Sequence, residues 1–266
     1  MITKKYVYPK LPAVKNTPFF RIGGTGIANG LFVYAKAIVE AKISNAQIIA
    51  PTWFNFSLGT YLRHQRDKRH YLGLFKSTDE VSGLKRIILL FFGKRSSDAN
   101  LNDGKVHVVE GIYDFFVPLI EHHKYVSEYI MKHINPKILK DVNSFDFKGC
   151  IAVHIRLGDF PLERRIPMDW YCKQIAEYGK GKKVLVFSDG QDEELSEILE
   201  INGVERAFFG GAIQDIVAMS RCEFIVGSNS SFSAWAAFLG QVPCSFYKLQ
   251  FGKVLLDSNK QRIEIS

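Results

Sequence analysis

The feature that most limits the fold is the regular alternation of short β-branched runs with helical periods from residue 150 onward. The segment 150–156, Lys183 to Phe187, Val204 to Phe208, Phe224 to Val226 and Val242 to Tyr247 read as strands. Between them, residues 168–178, about 191–201, Ile213 to Cys222 and Phe232 to Leu239 carry apolar residues at helical spacing. Each strand thus waits for a helical crossover before the next, which predicts a parallel, doubly wound α/β sheet. Such sheets hold their ligands outside the carboxyl ends of the strands. Two residues apart on one strand share a face, so His154 and Arg156 leave the first strand together near that edge. Arginine there offers a planar, permanently charged fork suited to phosphate oxygens. The plainer alternative is a strand-end arginine paired with Asp159, beside a core histidine with its hydrogen bonds made.

The first half is less regular. Phe19-Phe20-Arg21-Ile22 reads as a short strand running into Gly23-Gly24-Thr25-Gly26, and Leu31, Phe32, Ala35, Ile38 and Val39 follow at helical spacing. Gly24 and Gly26 would let the backbone approach a ligand closely, with the free N–H groups of a helix start beside it; a turn required only for packing is the alternative. Gly24, Gly26 and Gly30 are spaced one residue longer than the dinucleotide fingerprint. A nicotinamide-dependent oxidoreductase would also need an acid about 20 residues on, and none follows Gln47-Ile48-Ile49. Residues 57–105 are poorly periodic, and their run Arg63, His64, Arg66, Lys68, Arg69, His70 reads as a solvated face. Leu84 to Phe92 holds an apolar patch, Ile87 to Phe92, between the cationic pairs Lys85-Arg86 and Lys94-Arg95. It either rests on anionic lipid headgroups or forms a buried helix with snorkelling ends. A strand at Val106 to Val109 and a helix from Pro118 to Ile134 complete this half.

A chain of 266 residues accommodates two domains, expected here as 1–145 and 146–266 across the polar connection Asn143 to Lys148. Its net charge of +8 suits an anionic ligand or an anionic membrane surface as well as nucleic acid. The cations form neither a tail nor one helical face, so no nucleic-acid partner is expected. No apolar leader follows the N-terminal lysines, and the longest apolar run, Ile87 to Phe92, is far too short to cross a bilayer. Cys150, Cys172, Cys222 and Cys244 stand apart from one another, as small buried hydrophobes in a reducing compartment would. The expected location is cytoplasmic, peripheral at the inner face of the membrane.

Two further strand ends carry polar groups that would converge with His154 and Arg156. One is Ser188-Asp189. The other is Ser228-Asn229-Ser230-Ser231, which opens a helix. Successive small polar residues there offer side-chain oxygens and backbone N–H groups to a diphosphate, or simply cap the helix. Asp215, just inside a helix start, either complements the macrodipole or accepts from the N–H groups of a purine. No Asp-x-Asp occurs, so a carboxylate–metal diphosphate clamp has no candidate and no metal is expected.

The order His154-Ile-Arg156-Leu-Gly158-Asp159, Phe187-Ser188-Asp189 and Asp215 through Asn229-Ser230-Ser231-Phe232-Ser233 resembles the α-1,2-fucosyltransferases, glycosyltransferase family 11, and their protein-O- and α-1,6-fucosyltransferase relatives. The opening Gly23-Gly24-Thr25-Gly26 and the segment Gly111 to His123 are similar to the same family. Leu157 stands where that pattern has a second Arg, Gly190 where it has a second Asp, and Ala234 where it has a first Trp. The resemblance implies a GT-B fold, two Rossmann-like domains facing across a cleft, with the N-terminal one on the acceptor side and a GDP-sugar bound mainly by the second. Arg156 would hold the β-phosphate, the turn Ser230, Ser231 and Phe232 the diphosphate, and Asp215 the guanine. The implied reaction is transfer of fucose, or a related deoxysugar, to a hydroxyl of a glycan or lipid-linked oligosaccharide, in α-1,2 linkage. It would proceed with inversion and without a metal, Arg156 carrying the charge a divalent cation carries elsewhere. Asp159, Glu163 and His154 are the candidate bases for the acceptor hydroxyl. A transferase using another nucleotide sugar, the nicotinamide oxidoreductase and a non-catalytic glycan-binding module are the competing readings.

Overall fold

A computed structural model describes residues 4–62, 67–96, 104–158 and 160–247, together with a terminal strand at Ile263–Ile265. The chain divides into two compact units, Met1–Leu58 with Arg69–Pro136, and Gly59–Lys68 with Lys137–Ser266.

The first unit is built on a four-stranded, all-parallel sheet in the order Gln47–Ile48, Tyr6–Pro9, Val106–Val109, Arg95–Ser96. Its central strand, Tyr6–Pro9, is buried along its whole length. It precedes the helix Ile27–Ser44, whose buried residues include Leu31, Phe32, Ala35 and Ile38. Asn45, in the left-handed region at φ 50°, ends that helix by returning its N–H to Lys42 and Ala41 carbonyls. The strand expected at Phe19–Ile22 is shorter, Arg21–Ile22, and belongs to a separate three-stranded sheet with Lys15–Asn16 and Asn55–Phe56. Arg21 accounts for the difference. Its guanidinium is buried and donates to the carbonyls of Pro12 (2.9 Å) and Trp53 (3.1 Å), ties that hold the segment to a loop. The helix expected over 118–134 begins as a tighter turn, Val117–His122, and becomes α-helical only at His123–His133.

The second unit carries a six-stranded, all-parallel sheet in the order Val204–Arg206, Lys183–Ser188, Cys150–Ile155, Phe224–Gly227, Cys244–Phe246, Ile263–Ile265. Counted along the chain this is 3-2-1-4-5-6, the order of a Rossmann sheet, with its reversal between Cys150–Ile155 and Phe224–Gly227. Both faces are covered, which is why Cys150–Ile155 is buried at every position. Ile151, Val153 and Ile155 pack with Tyr171 and Ile175 of the helix Met168–Tyr178 and with Leu195 and Ile198. Each such side chain contributes about 1.5–3 kcal/mol by leaving water. On the opposite face His154 meets Ser233 of the helix Ser231–Gly240. The helix read at about 191–201 is here a tight turn, Glu193–Leu195, and the single turn Ser196–Leu199.

Candidate functional site

The reversal of strand order fixes where a ligand crevice opens, because the crossovers on its two sides leave in opposite directions. The residues at that point are His154, Arg156 and the run Ser228 to Phe232. His154 pairs in register with Gly227, and its carbonyl accepts from Ser228 N at 3.0 Å. Its imidazole is buried, with Nδ1 2.9 Å from Ser228 Oγ and 3.2 Å from Ser233 Oγ, and its ring stacks on Phe232 with centroids 5.0 Å apart. Burial, helped by the neighbouring Arg156 charge and opposed by Asp189, holds the imidazole pKa well below its ordinary value, so it stands neutral. His154 therefore ties the first strand to the start of the helix Ser231–Gly240.

That helix opens from the polar run its sequence predicts, starting one residue earlier than Phe232. Ser230, in extended conformation, accepts from Phe232 N at 3.3 Å through its side chain, and its own N–H donates to Ser228 O at 2.6 Å. Ser231 is the first helical residue and Asn229, partly buried, precedes the cap. No acid occupies the first turn, so the positive end of the helix dipole is uncompensated by its own side chains.

Arg156 lies just past the end of the first strand and is ion-paired with Asp189, both side chains largely shielded. Asp189 follows the neighbouring strand, where Ile155 registers with Ser188, so the pair faces across the sheet edge. The other carboxylate oxygen of Asp189 accepts from Leu157 N (2.9 Å) and Gly158 N (3.0 Å). Asp189 is thereby occupied in shaping the loop and aiming the guanidinium, while Ser188 Oγ accepts from Gly190 N at 3.0 Å. A Cβ at Gly190 would stand 2.5 Å from Leu157 Cδ1. Leu157, buried, occupies that space.

Asp215 lies in the first turn of the helix Ala212–Met219, buried, with Oδ1 accepting from Phe209 N at 2.8 Å. Burial raises its pKa to about 7, against the Phe209 N–H and with further help from the nearby Asp67 charge. Asp67 was not singled out by its sequence context. It accepts from Ala212 N at 3.2 Å, across a separation in the chain that leaves no local signal. Glu163 sits exposed in the turn Leu162–Arg164. Asp159 lies outside the described residues.

Gly24 and Gly26 belong to the first unit. Gly24, at φ 134°, faces the backbone of its own loop: a Cβ there would stand 2.5 Å from Pro12 O. Gly26 precedes the helix Ile27–Ser44, whose first N–H, of Ile27, donates to Tyr71 OH at 3.0 Å. Tyr71 was another residue without a sequence signal. Among the described residues no three His, Cys, Asp or Glu side chains are gathered as a metal would require, and no helix is long and apolar enough to cross a membrane.

Residues 110–243, half of the chain, match the profile of Glycosyl transferase family 11. No curated protein matches the chain in sequence. Its fold is similar to that of the NodZ α-1,6-fucosyltransferase soaked with GDP-fucose, at TM-score 0.59 and 14% identity, covering 92% of this chain and 96% of that one. Similar too are the Bradyrhizobium NodZ fucosyltransferase and the NodZ enzyme co-crystallised with GDP, each at TM-score 0.56 and 13% identity, over 92% of this chain and 95% of theirs. The fold is GT-B-like, α/β with a parallel sheet in each unit, the second in Rossmann order.

Proposed function

The chain belongs to glycosyltransferase family 11, and from that premise we propose that it transfers fucose from GDP-fucose to a glycan hydroxyl, with inversion and without a metal ion. The observation that carries this reading is the placement of an Asp189-held arginine and a serine-capped helix start at the reversal of one Rossmann sheet. Both features attract a diphosphate, the guanidinium by charge and the helix start by oriented N–H groups. In this reading Arg156 binds the β-phosphate and the turn Ser230, Ser231 and Phe232 the rest of the diphosphate. Asp215 accepts from the guanine N–H groups. Ser188, Asn229 and His154 support the loops that present them. Asp189 is a positioning residue.

The step is a displacement at the anomeric carbon. The acceptor oxygen forms its bond to that carbon as the bond to the β-phosphate oxygen breaks, and the electron pair leaves with GDP. Arg156 and the helix start stabilise the charge gathering on the phosphate. The acceptor proton passes to a carboxylate, for which Asp159 and Glu163 remain the candidates; a buried, neutral His154 held by two serines is poorly placed to exchange it with an acceptor. We assign the acceptor to the first unit. There a cavity of about 250 Å³ is lined by Phe19, Trp53, Phe54 and Tyr71, beside Thr52 and Ser82, and the exposed rings of Phe19 and Phe54 are flat apolar surfaces of the kind sugar rings stack on. The linkage is taken as α-1,2, as the family resemblance implies. The four free cysteines fit a reducing, cytoplasmic setting.

The test is a panel of GDP-, UDP- and ADP-sugars, read by thermal stabilisation and by nucleoside diphosphate release in EDTA, with linkage analysis of the product. GDP-fucose should raise Tm most and turn over with metal chelated. Arg156→Ala should abolish turnover and leave the fold intact. Stabilisation by a UDP-sugar alone, or wild-type turnover in Arg156→Ala, would overturn the proposal.

A further inference from the structure

The helix Gly83–Phe92 is amphipathic in the reverse of the usual sense for a surface helix. Its inward side is Arg86, Leu89 and Leu90. The two leucines pack against the core of Tyr6, Tyr8, Ile49, Val81 and Val106. Arg86 donates to Ala50 O (2.6 Å), Pro18 O (2.5 Å) and Thr52 Oγ1 (2.7 Å). The outward side is Leu84, Ile88, Phe91 and Phe92, spaced to form one stripe and exposed by 73, 49, 57 and 82%. Phe19, also exposed, lies beside Phe91 with ring centroids 6.4 Å apart. Turning the helix to bury the stripe would strip Arg86 of three acceptors, so the orientation is locked by hydrogen bonds to groups elsewhere in the unit. A stripe of this kind calls for a cover.

Charge decides which cover. Residues 81–96 contain no acid, and Lys85, Lys94 and Arg95 are exposed around the stripe. A second copy docked through the same face would bring these cations against their own equivalents, which disfavours a two-fold contact. A helix of ten residues is too short to span a bilayer, but its length suits one lying in the headgroup plane. We propose that the stripe Leu84, Ile88, Phe91 and Phe92, with Lys85, Lys94 and Arg95 around it, seats the protein on an anionic bilayer surface. The rings enter the acyl boundary and the cations meet lipid phosphates. The apolar stripe and the cations are both needed, since either alone gives weak, reversible attachment.

The experiment floats the full chain with vesicles of phosphatidylcholine alone or mixed with phosphatidylglycerol. Wild type should float with the anionic vesicles and far less with the neutral ones. F91E/F92E should lose about tenfold or more of its partitioning, since each ring leaves water only on the membrane. K94Q/R95Q should lose about 25-fold, at about fivefold per cation. Both variants should keep the wild-type Tm, because none of these side chains is in the core. Equal binding to both vesicle types, or F91E/F92E that floats like wild type at unchanged Tm, would overturn the proposal. So would a wild-type dimer by light scattering that F91E/F92E disperses without any recruitment to vesicles.

Discussion

Asp189→Asn separates what the Arg156 pair does for the fold from what it does for the reaction. The asparagine can keep Oδ1 as acceptor for Leu157 N and Gly158 N, so the loop retains both backbone hydrogen bonds. What changes is the group facing the guanidinium: an ion pair becomes a donor set against a donor. Removing one partner of a buried pair costs about 3–5 kcal/mol. Here the two side chains are still 25 and 19% exposed, so the lower end applies. At about 2–4 °C per kcal/mol for a chain of this size, the melting temperature should drop by about 6–12 °C. Turnover responds differently. A charge-stabilising donor is worth about 10²–10³ in kcat, and one mis-aimed rather than deleted should lose part of that, about 10–100-fold. Binding of GDP should change little, because the freed guanidinium still attracts phosphate and loses a competing carboxylate. Release of GDP from GDP-fucose would give kcat and KM, and calorimetry the GDP affinity. A variant with the lowered Tm but kcat within twofold of wild type would refute the assignment of Asp189 as the residue that aims Arg156.

Other consequences follow from the buried acids and the tight loop. Free Asp215 titrates at about 7, and guanine N–H donors favour its ionised form; affinity for GDP-fucose should therefore rise by up to about tenfold per pH unit below 7 and level off above it. A pH-flat wild-type affinity, or Asp215→Asn that matches wild type at pH 8, would contradict the guanine contact. Glu80, buried and accepting from Tyr34 OH at 2.6 Å, is raised from 4.5 to about 7 by burial. Its folded state favours the proton, so its contribution is full below pH 4.5 and lost as pH rises through 7, a decline of about 3 kcal/mol. Glu80→Gln should remove most of that slope in urea titrations at pH 5 and 8, and an unchanged slope would show another group responsible. Gly24→Ala should destabilise by more than about 1 kcal/mol, since it adds a Cβ against Pro12 O at a left-handed φ. An alanine variant as stable as wild type would mean the loop has room to open there.

How far the chain could be read depended on whether the signal was local. The second unit announced itself because strands such as Cys150–Ile155 and Phe224–Gly227 are buried at every position, which forces short, largely apolar runs rich in β-branched residues. That the run Ser228 to Ser231 opens a helix was equally visible, since capping is settled within a few residues, although the helix starts at Ser231 rather than Phe232. Tyr6–Pro9 went unread. It is four residues long and rich in tyrosine, so it has no run long enough to show a period. Phe19–Ile22 had the apolar content of a strand, but the burial of Arg21 on two distant carbonyls decided its place. Gly24 was legible as a residue under backbone constraint and illegible as to the cause, which is Pro12.

The same distinction governs the site. That Arg156 would need a counter-ion was foreseeable, and the nearest acid in sequence, Asp159, was the natural candidate. Asp159 lies outside the described residues, but strand register supplies a carboxylate that the local sequence does not reveal: Ile155 beside Ser188 places residue 189 across from residue 156, on a parallel neighbour. Two departures from the family pattern then become one. Leu157, in place of an arginine, fills the volume that any side chain at Gly190, in place of an aspartate, would need, with only 2.5 Å between Leu157 Cδ1 and the absent Cβ. An arginine and an aspartate at those positions would face each other across the same two loops, so losing both removes a charge and its counter-charge together. Asp189, fixed by the neighbouring strand and by the Leu157 and Gly158 N–H groups, then anchors the guanidinium at the sheet edge, where the proposed phosphate contact requires it.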